Sequence, residues 1–94
     1  MKTPVVIRDE YTIFFEAVGE VVFVHCDVMR WTHETAKEMK QVMRELRALH
    51  GRSLYAVNEP HGCKKHQRFM RLMGFVYHCD LPTKAGGVVH VFKV

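Results

Sequence analysis

Most of the residues through which this chain would do chemistry fall into two short runs and one loop. The loop His61-Gly62-Cys63, followed by His66, puts three soft ligands within six residues. A zinc site needs four protein ligands, or three and a water, in tetrahedral array. His25, Cys26, His78 or Cys79 would have to complete the set from distant positions, and the chain has neither a Cys-x-x-Cys nor a His-x-x-x-His pair. No metal site is therefore expected. The runs are His25-Cys26-Asp27 and His78-Cys79-Asp80. A nucleophilic cysteine needs a base within reach, but neighbours on a strand point to opposite faces, so His25 does not activate Cys26. Alternation instead puts His25 with Asp27 and His78 with Asp80, two polar pairs at strand ends.

The elements that carry these residues belong to one small domain, residues 1–94. Apolar residues make up 48% and charged residues 26%, the profile of an ordinary globule. At this size stability is modest, which a homodimer would ease. The longest apolar run, Val21 to Val24, is far too short to cross a bilayer, and Met1 to Val6 has no signal-peptide pattern. An odd three cysteines without close spacing fits a reducing compartment. These features predict a cytoplasmic or virion location and no membrane contact. The net charge of +4 permits nucleic-acid contact without requiring it.

Residues 3 to 9 read as a first strand or arm, with Pro4 suited to an edge. Tyr11, Ile13, Phe15 and Ala17 alternate with more polar neighbours, predicting a strand. Gly19-Glu20 is a hairpin turn, and Val21 to Val28 is a second strand apolar enough for the sheet centre. The period changes after Trp31. Thr32 is the N-cap of a helix whose inner stripe is Ala36, Met39, Met43 and Leu46, widened by Val42 and Leu49, and Gly51 stops it. Ser53 to Val57 is a short strand, and residues 58 to 62 form a loop. Lys64 to Met73 is a short helix with Phe69, Leu72 and Met73 inward. Strands over 75–81 and 88–94 close the chain as a hairpin. The order, β-β-β-α-β-α-β-β, predicts an α/β fold with a mixed twisted sheet. Met39, Met43, Met70 and Met73 are its helix-to-sheet core.

This order, with Gln67-Arg68-Phe69-Met70-Arg71-Leu72-Met73-Gly74-Phe75 at its closing helix, resembles the second half of the Gcn5-related N-acetyltransferase (GNAT) fold. The family's closing helix commonly runs into Gly-Phe and a strand. Asn58 sits where the family often has an asparagine. The likeness covers residues 11 to 94 and implies a truncated GNAT-like fold lacking the N-terminal strand and helix pair. Ala36-Lys37, Asn58 and His66-Gln67-Arg68-Phe69 are also similar to small GNAT-like proteins of short-tailed bacteriophages, some described as internal virion proteins. That likeness implies a phage source.

The resemblance places an acyl-CoA pyrophosphate loop, normally Gln/Arg-x-x-Gly-x-Gly/Ala, on Arg30-Trp31-Thr32-His33-Glu34-Thr35. Arg30 fits. His33 and Thr35 stand where glycines would let the backbone approach the phosphates, and Glu34 adds negative charge. The family's general acid, a tyrosine before the Gly-Phe, is Met70 here, which has no proton to give. Tyr55 and Tyr77 on neighbouring strands are the substitutes. The resemblance thus implies a cofactor site of Arg30, Trp31, Thr32, His33 and Asn58 for acetyl-CoA or another acyl-CoA if the protein is an enzyme. The altered positions predict that it binds no cofactor in the usual mode and works through a protein partner, of phage or host. A divergent N-acyltransferase is the rival reading. A third is a small nucleic-acid binder using Lys64, Lys65, Arg68 and Arg71 with Arg44, Arg47 and Arg52, a face diluted by Glu38, Glu45 and Glu59. Trp31 is either a staple over the first helical turn or an anchor for a partner.

Overall fold

The computed structural model describes residues 1–58 and 64–94, so His61, Cys63 and the turn residues around them lie outside the described residues. Eight elements follow the expected order: β1 (Lys2–Ile7), β2 (Tyr11–Val18), β3 (Val21–Val28), α1 (His33–His50), β4 (Tyr55–Asn58), α2 (Lys64–Leu72), β5 (Val76–Pro82) and β6 (Val88–Lys93). The strands form one mixed six-stranded sheet in the order β1-β2-β3-β4-β6-β5. The β1 strand holds an edge, as Pro4 requires, and the register slips between Pro4 and Val6. In the β2–β3 hairpin Val18 pairs with Val21 across a two-residue turn. Gly19 sits at φ 61°, the sign that the first position of a II′ turn needs.

Local chemistry explains α1. The Thr32 hydroxyl accepts from the Thr35 amide at 3.1 Å, and Gly51, at φ 75°, donates its N–H to the Arg47 carbonyl. Met39 and Met43 from α1, Met70 from α2, Met73 just after it, and one face of the sheet (Tyr11, Ile13, Val24, Ala56, Phe92) make one buried cluster. Both helices therefore lie on the same side. The opposite face, carrying Phe14, Phe23, Tyr55 and Val57 half-buried, has no helix over it among the described residues. No described helix is long and apolar enough to cross a membrane.

The helix stripes are narrower than the sequence suggests. Leu49 is 84% exposed, whereas Thr35 is buried. At about 100° per residue, Leu49 has drifted about 80° from Met39 and Thr35 only about 40°. At α2 the buried residues are Met70 and, just past its end, Met73, while Leu72 is 39% exposed because it points about 160° away from Met70. We expect Ile13→Ala, at a fully buried position, to cost about 2–5 kcal/mol in urea denaturation. Leu49→Ser should stay within about 0.5 kcal/mol. Equal losses would disprove the one-sided core.

Candidate functional site

The sheet opens at its centre. The β3 and β4 strands run parallel and share a single register pair, Phe23 with Tyr55, while β4 keeps four pairs with β6 on its other side. Beyond that rung β3 and β4 part, and a slot of about 320 Å³ runs between them. Val24 to Val28, Ala56 and Val57 form its sides, and Met43, Phe69, Met70 and Phe75 pack into it from the helix side. Lys2, His25, Asp27 and His66 add the polar part of its lining. Cys26 lines the slot, but burial, with a smaller contribution from Asp27, pushes its thiol up to about 12. It is a protonated packing group at neutral pH, not a nucleophile. His25 turns away from it and bonds Glu16 at 2.9 Å, which holds that carboxyl below its ordinary value. Met70 stands 2% exposed in the slot wall, with a thioether where the family likeness puts a proton donor.

The turn from β3 into α1 forms the second part of the site. Arg30, Thr32, His33, Glu34 and Thr35 line a cavity of about 440 Å³ with Glu10 and Glu38. Three carboxylates thus face one guanidinium. The backbone donors that would hold a phosphate are partly engaged already. The Met29 and Arg30 amides both donate to the Glu10 carbonyl, at 2.8 and 3.1 Å, and the Thr35 amide serves the Thr32 hydroxyl. Glu38 accepts from the Tyr11 hydroxyl at 2.7 Å and lies 3.5 Å from Arg8. Burial, then Glu38, pushes the Tyr11 hydroxyl up to about 12, so the phenol keeps its proton. Of the predicted cofactor residues, Arg30, Thr32 and His33 meet here. Trp31 points to the other side of the turn, against Phe69 at 5.6 Å, and so packs on α2 rather than over the first turn of α1. Asn58 lines neither cavity. It is 6% exposed, and its Nδ2 has no hydrogen-bond partner among the described residues.

The two candidate tyrosines lie on opposite faces, and neither lines the slot. Tyr55 is on the helix-free face, with its ring 6.0 Å from Phe23 and 5.8 Å from His78. Tyr77 pairs in register with Phe92 on the helix side. The expected pairing of His78 with Asp80 is wrong. The register slips between Tyr77 and Cys79, so one extra residue reverses the alternation and puts Asp80 on the same side as Tyr77. Asp80 Oδ1 accepts from the Tyr77 hydroxyl at 2.8 Å and lies 2.5 Å from His90 Nδ1. Those two bonds, His90 first, hold the Asp80 carboxyl below its ordinary value, and the bond to Asp80 raises the Tyr77 phenol. His90 in turn is the register partner of Asn58.

Sequence reasoning missed the roles of Glu10, Glu38 and His90. Glu10 lies twenty residues before Arg30, and Glu38 looks like any outer-face helix residue. Among the described residues no three of His, Cys, Asp and Glu gather as a metal site.

No protein-family model matches the sequence, and no curated protein is similar to it at a significant level. A solved structure described as a GnaT-family acetyltransferase from Bordetella pertussis superposes with a TM-score of 0.65 at 12% identity, over 89% of this chain and 56% of that one. The chain therefore has a GNAT-like fold and spans little more than half the length of that relative.

The site geometry sets a titration order. Removing His90 (His90→Ala) should raise the Asp80 pKa more than Tyr77→Phe does, read by carboxyl NMR. A depressed carboxylate stabilises the fold above its unfolded pKa, and this contribution is lost as pH falls through the lowered folded value. The wild-type hairpin should therefore weaken in acid over a range extending below the ordinary Asp value of 3.8, and His90→Ala should reduce that dependence, leaving the smaller part due to Tyr77. An unchanged Asp80 titration would refute the network.

Proposed function

We propose that this chain is a GNAT-like scaffold that does not take acyl-CoA in the family's usual mode and acts through protein contacts, as a virion component or a factor that meets a host target. The observation that carries this reading is the mouth of the β3–α1 turn, where Glu10, Glu34 and Glu38 line one cavity with Arg30. A unit charge about 4 Å from a phosphate oxygen repels it by about 1 kcal/mol in water and by about 4 kcal/mol near a protein surface. Arg8 offsets Glu38, and the remaining two carboxylates, Glu10 and Glu34, still outweigh the one guanidinium of Arg30 on this scale. Two amides of the turn are committed to the Glu10 carbonyl, and Met70 supplies no proton at the slot. The residues present do not fit a pyrophosphate. The likeness of the Ala36-Lys37, Asn58 and His66-Gln67-Arg68-Phe69 segments to small phage proteins supports the virion or host setting.

The slot between β3 and β4 favours the second reading, a divergent N-acyltransferase. An active protein of this fold would need an acyl-CoA donor. Its thioester arm would have to enter the slot without an anchored pyrophosphate.

Calorimetric titration with acetyl-CoA separates the two. We expect no binding tighter than about 100 µM, equivalent to about −5.5 kcal/mol, and no thermal stabilisation. Tighter binding would overturn the proposal. Replacing Glu10, Glu34 and Glu38 together with glutamine should strengthen whatever weak binding exists, because it removes the repulsion and leaves Arg30.

A further inference from the structure

The far side of the Trp31 turn carries the opposite charge. Val28, Trp31, Lys65, His66, Arg68, Phe69 and Leu72 line a groove of about 730 Å³, and no acidic residue is among them. We propose that this groove docks an acidic peptide segment of a partner protein, anchored by apolar side chains. The inference rests on the reading above that the protein acts through protein contacts, and it names the surface and the partner's chemistry.

The α2 helix presents the groove. Lys65, Arg68, Phe69 and Leu72 stand at i, i+3, i+4 and i+7, so two cations and two apolar groups share one helical face. The helix contains Lys64, Lys65, Arg68 and Arg71 and no acidic residue. All four are exposed, and no salt bridge engages any of them among the described residues. Two lysines in its first turn oppose the helix dipole, which favours carboxylates there. Local stability alone would not select that arrangement. Places where a sequence breaks a local rule are where function is expected.

The apolar part is exposed as well. Trp31 is 49% exposed, edge-on to the half-buried Phe69, and Val28 and Leu72 are exposed beside it. A large aromatic group flanked by aliphatic side chains and rimmed by cations suits a segment with apolar anchors between carboxylates. A continuous phosphate backbone suits it less. A strand of nucleic acid crossing the Trp31 turn would run into Glu10, Glu34 and Glu38.

Trp31 is the only tryptophan, so its emission reports on the groove directly. The full chain would be titrated with an acidic amphipathic peptide carrying Leu and Phe at i and i+4, the same peptide with every acid changed to Lys, a single-stranded oligonucleotide, and acetyl-CoA. We expect the acidic peptide alone to give a saturable shift. Arg68→Glu, at an exposed position that leaves folding intact, should weaken it about tenfold, and raising the salt should weaken it further. Equal binding of the basic peptide, tighter binding of the oligonucleotide, or no response to the acidic peptide would overturn the docking site. Tight binding of acetyl-CoA would instead overturn the function proposed above. Silence towards both ligands would remove the docking site and leave that function standing.

Discussion

The single rung between Phe23 and Tyr55 is the constraint on which the rest of the molecule depends. Parallel strands joined by a crossover helix ordinarily pair along their length, and their amides satisfy one another. Here β3 and β4 pair once and part. The helices must then close the opening from one side. The α1 helix follows β3 directly and α2 follows β4, so both pack over the slot. The inward side chains there are largely methionines, Met39, Met43 and Met70 on the helices and Met73 just after α2. Unbranched thioethers adapt to an irregular gap better than branched side chains would. The slot is therefore partly lined by the core itself, and this is why Cys26, at its wall, behaves as a packing residue.

The same turn that leaves the slot divides the surface by charge. Residues 30 and 32 to 35 face the carboxylates of Glu10 and Glu38, while Trp31, between them, faces α2 and its cations. Glu10 holds its position through its backbone. Its carbonyl accepts the Met29 and Arg30 amides, so the β1–β2 turn is stapled to the end of β3 and brings its side chain along. The acidic mouth is thus a consequence of how the β1–β2 connection meets β3, not of the turn sequence alone.

This explains which parts were legible in the sequence. The α1 helix was, because a 3.6-residue period, a threonine cap and a stop glycine agree over eighteen residues. The edge position of β1, the central position of β3 and the element order were readable from proline, β-branched runs and turn residues. The side-chain assignments near the ends were not. A β-bulge inserts one residue without a composition signature, so the alternation that pairs His78 with Asp80 reverses and yields Tyr77, Asp80 and His90 instead. Leu72 and Met70 are equally apolar, and only the angular position of the buried stripe separates them. Glu10 and Glu38 reach the mouth through tertiary contact, which no local pattern encodes.

The two helices differ in how well they obey local rules. The α1 helix has a hydroxyl cap, an acid in its first turn and basic residues in its last, all of which agree with the dipole. The α2 helix has lysines first and no acid anywhere. Trp31, Val28 and Leu72 are exposed beside it. Asn58, whose Nδ2 has no hydrogen-bond partner among the described residues, ends the strand that precedes it. A scaffold under selection only to fold would relieve these costs one at a time, since an acid in the first turn of α2 or a polar residue at 31 is a single change. The cations of α2, unpaired among the described residues, and the exposed apolar groups beside it are what the docking surface proposed there rests on, whereas the caps and buried stripe of α1 account for that helix by folding alone.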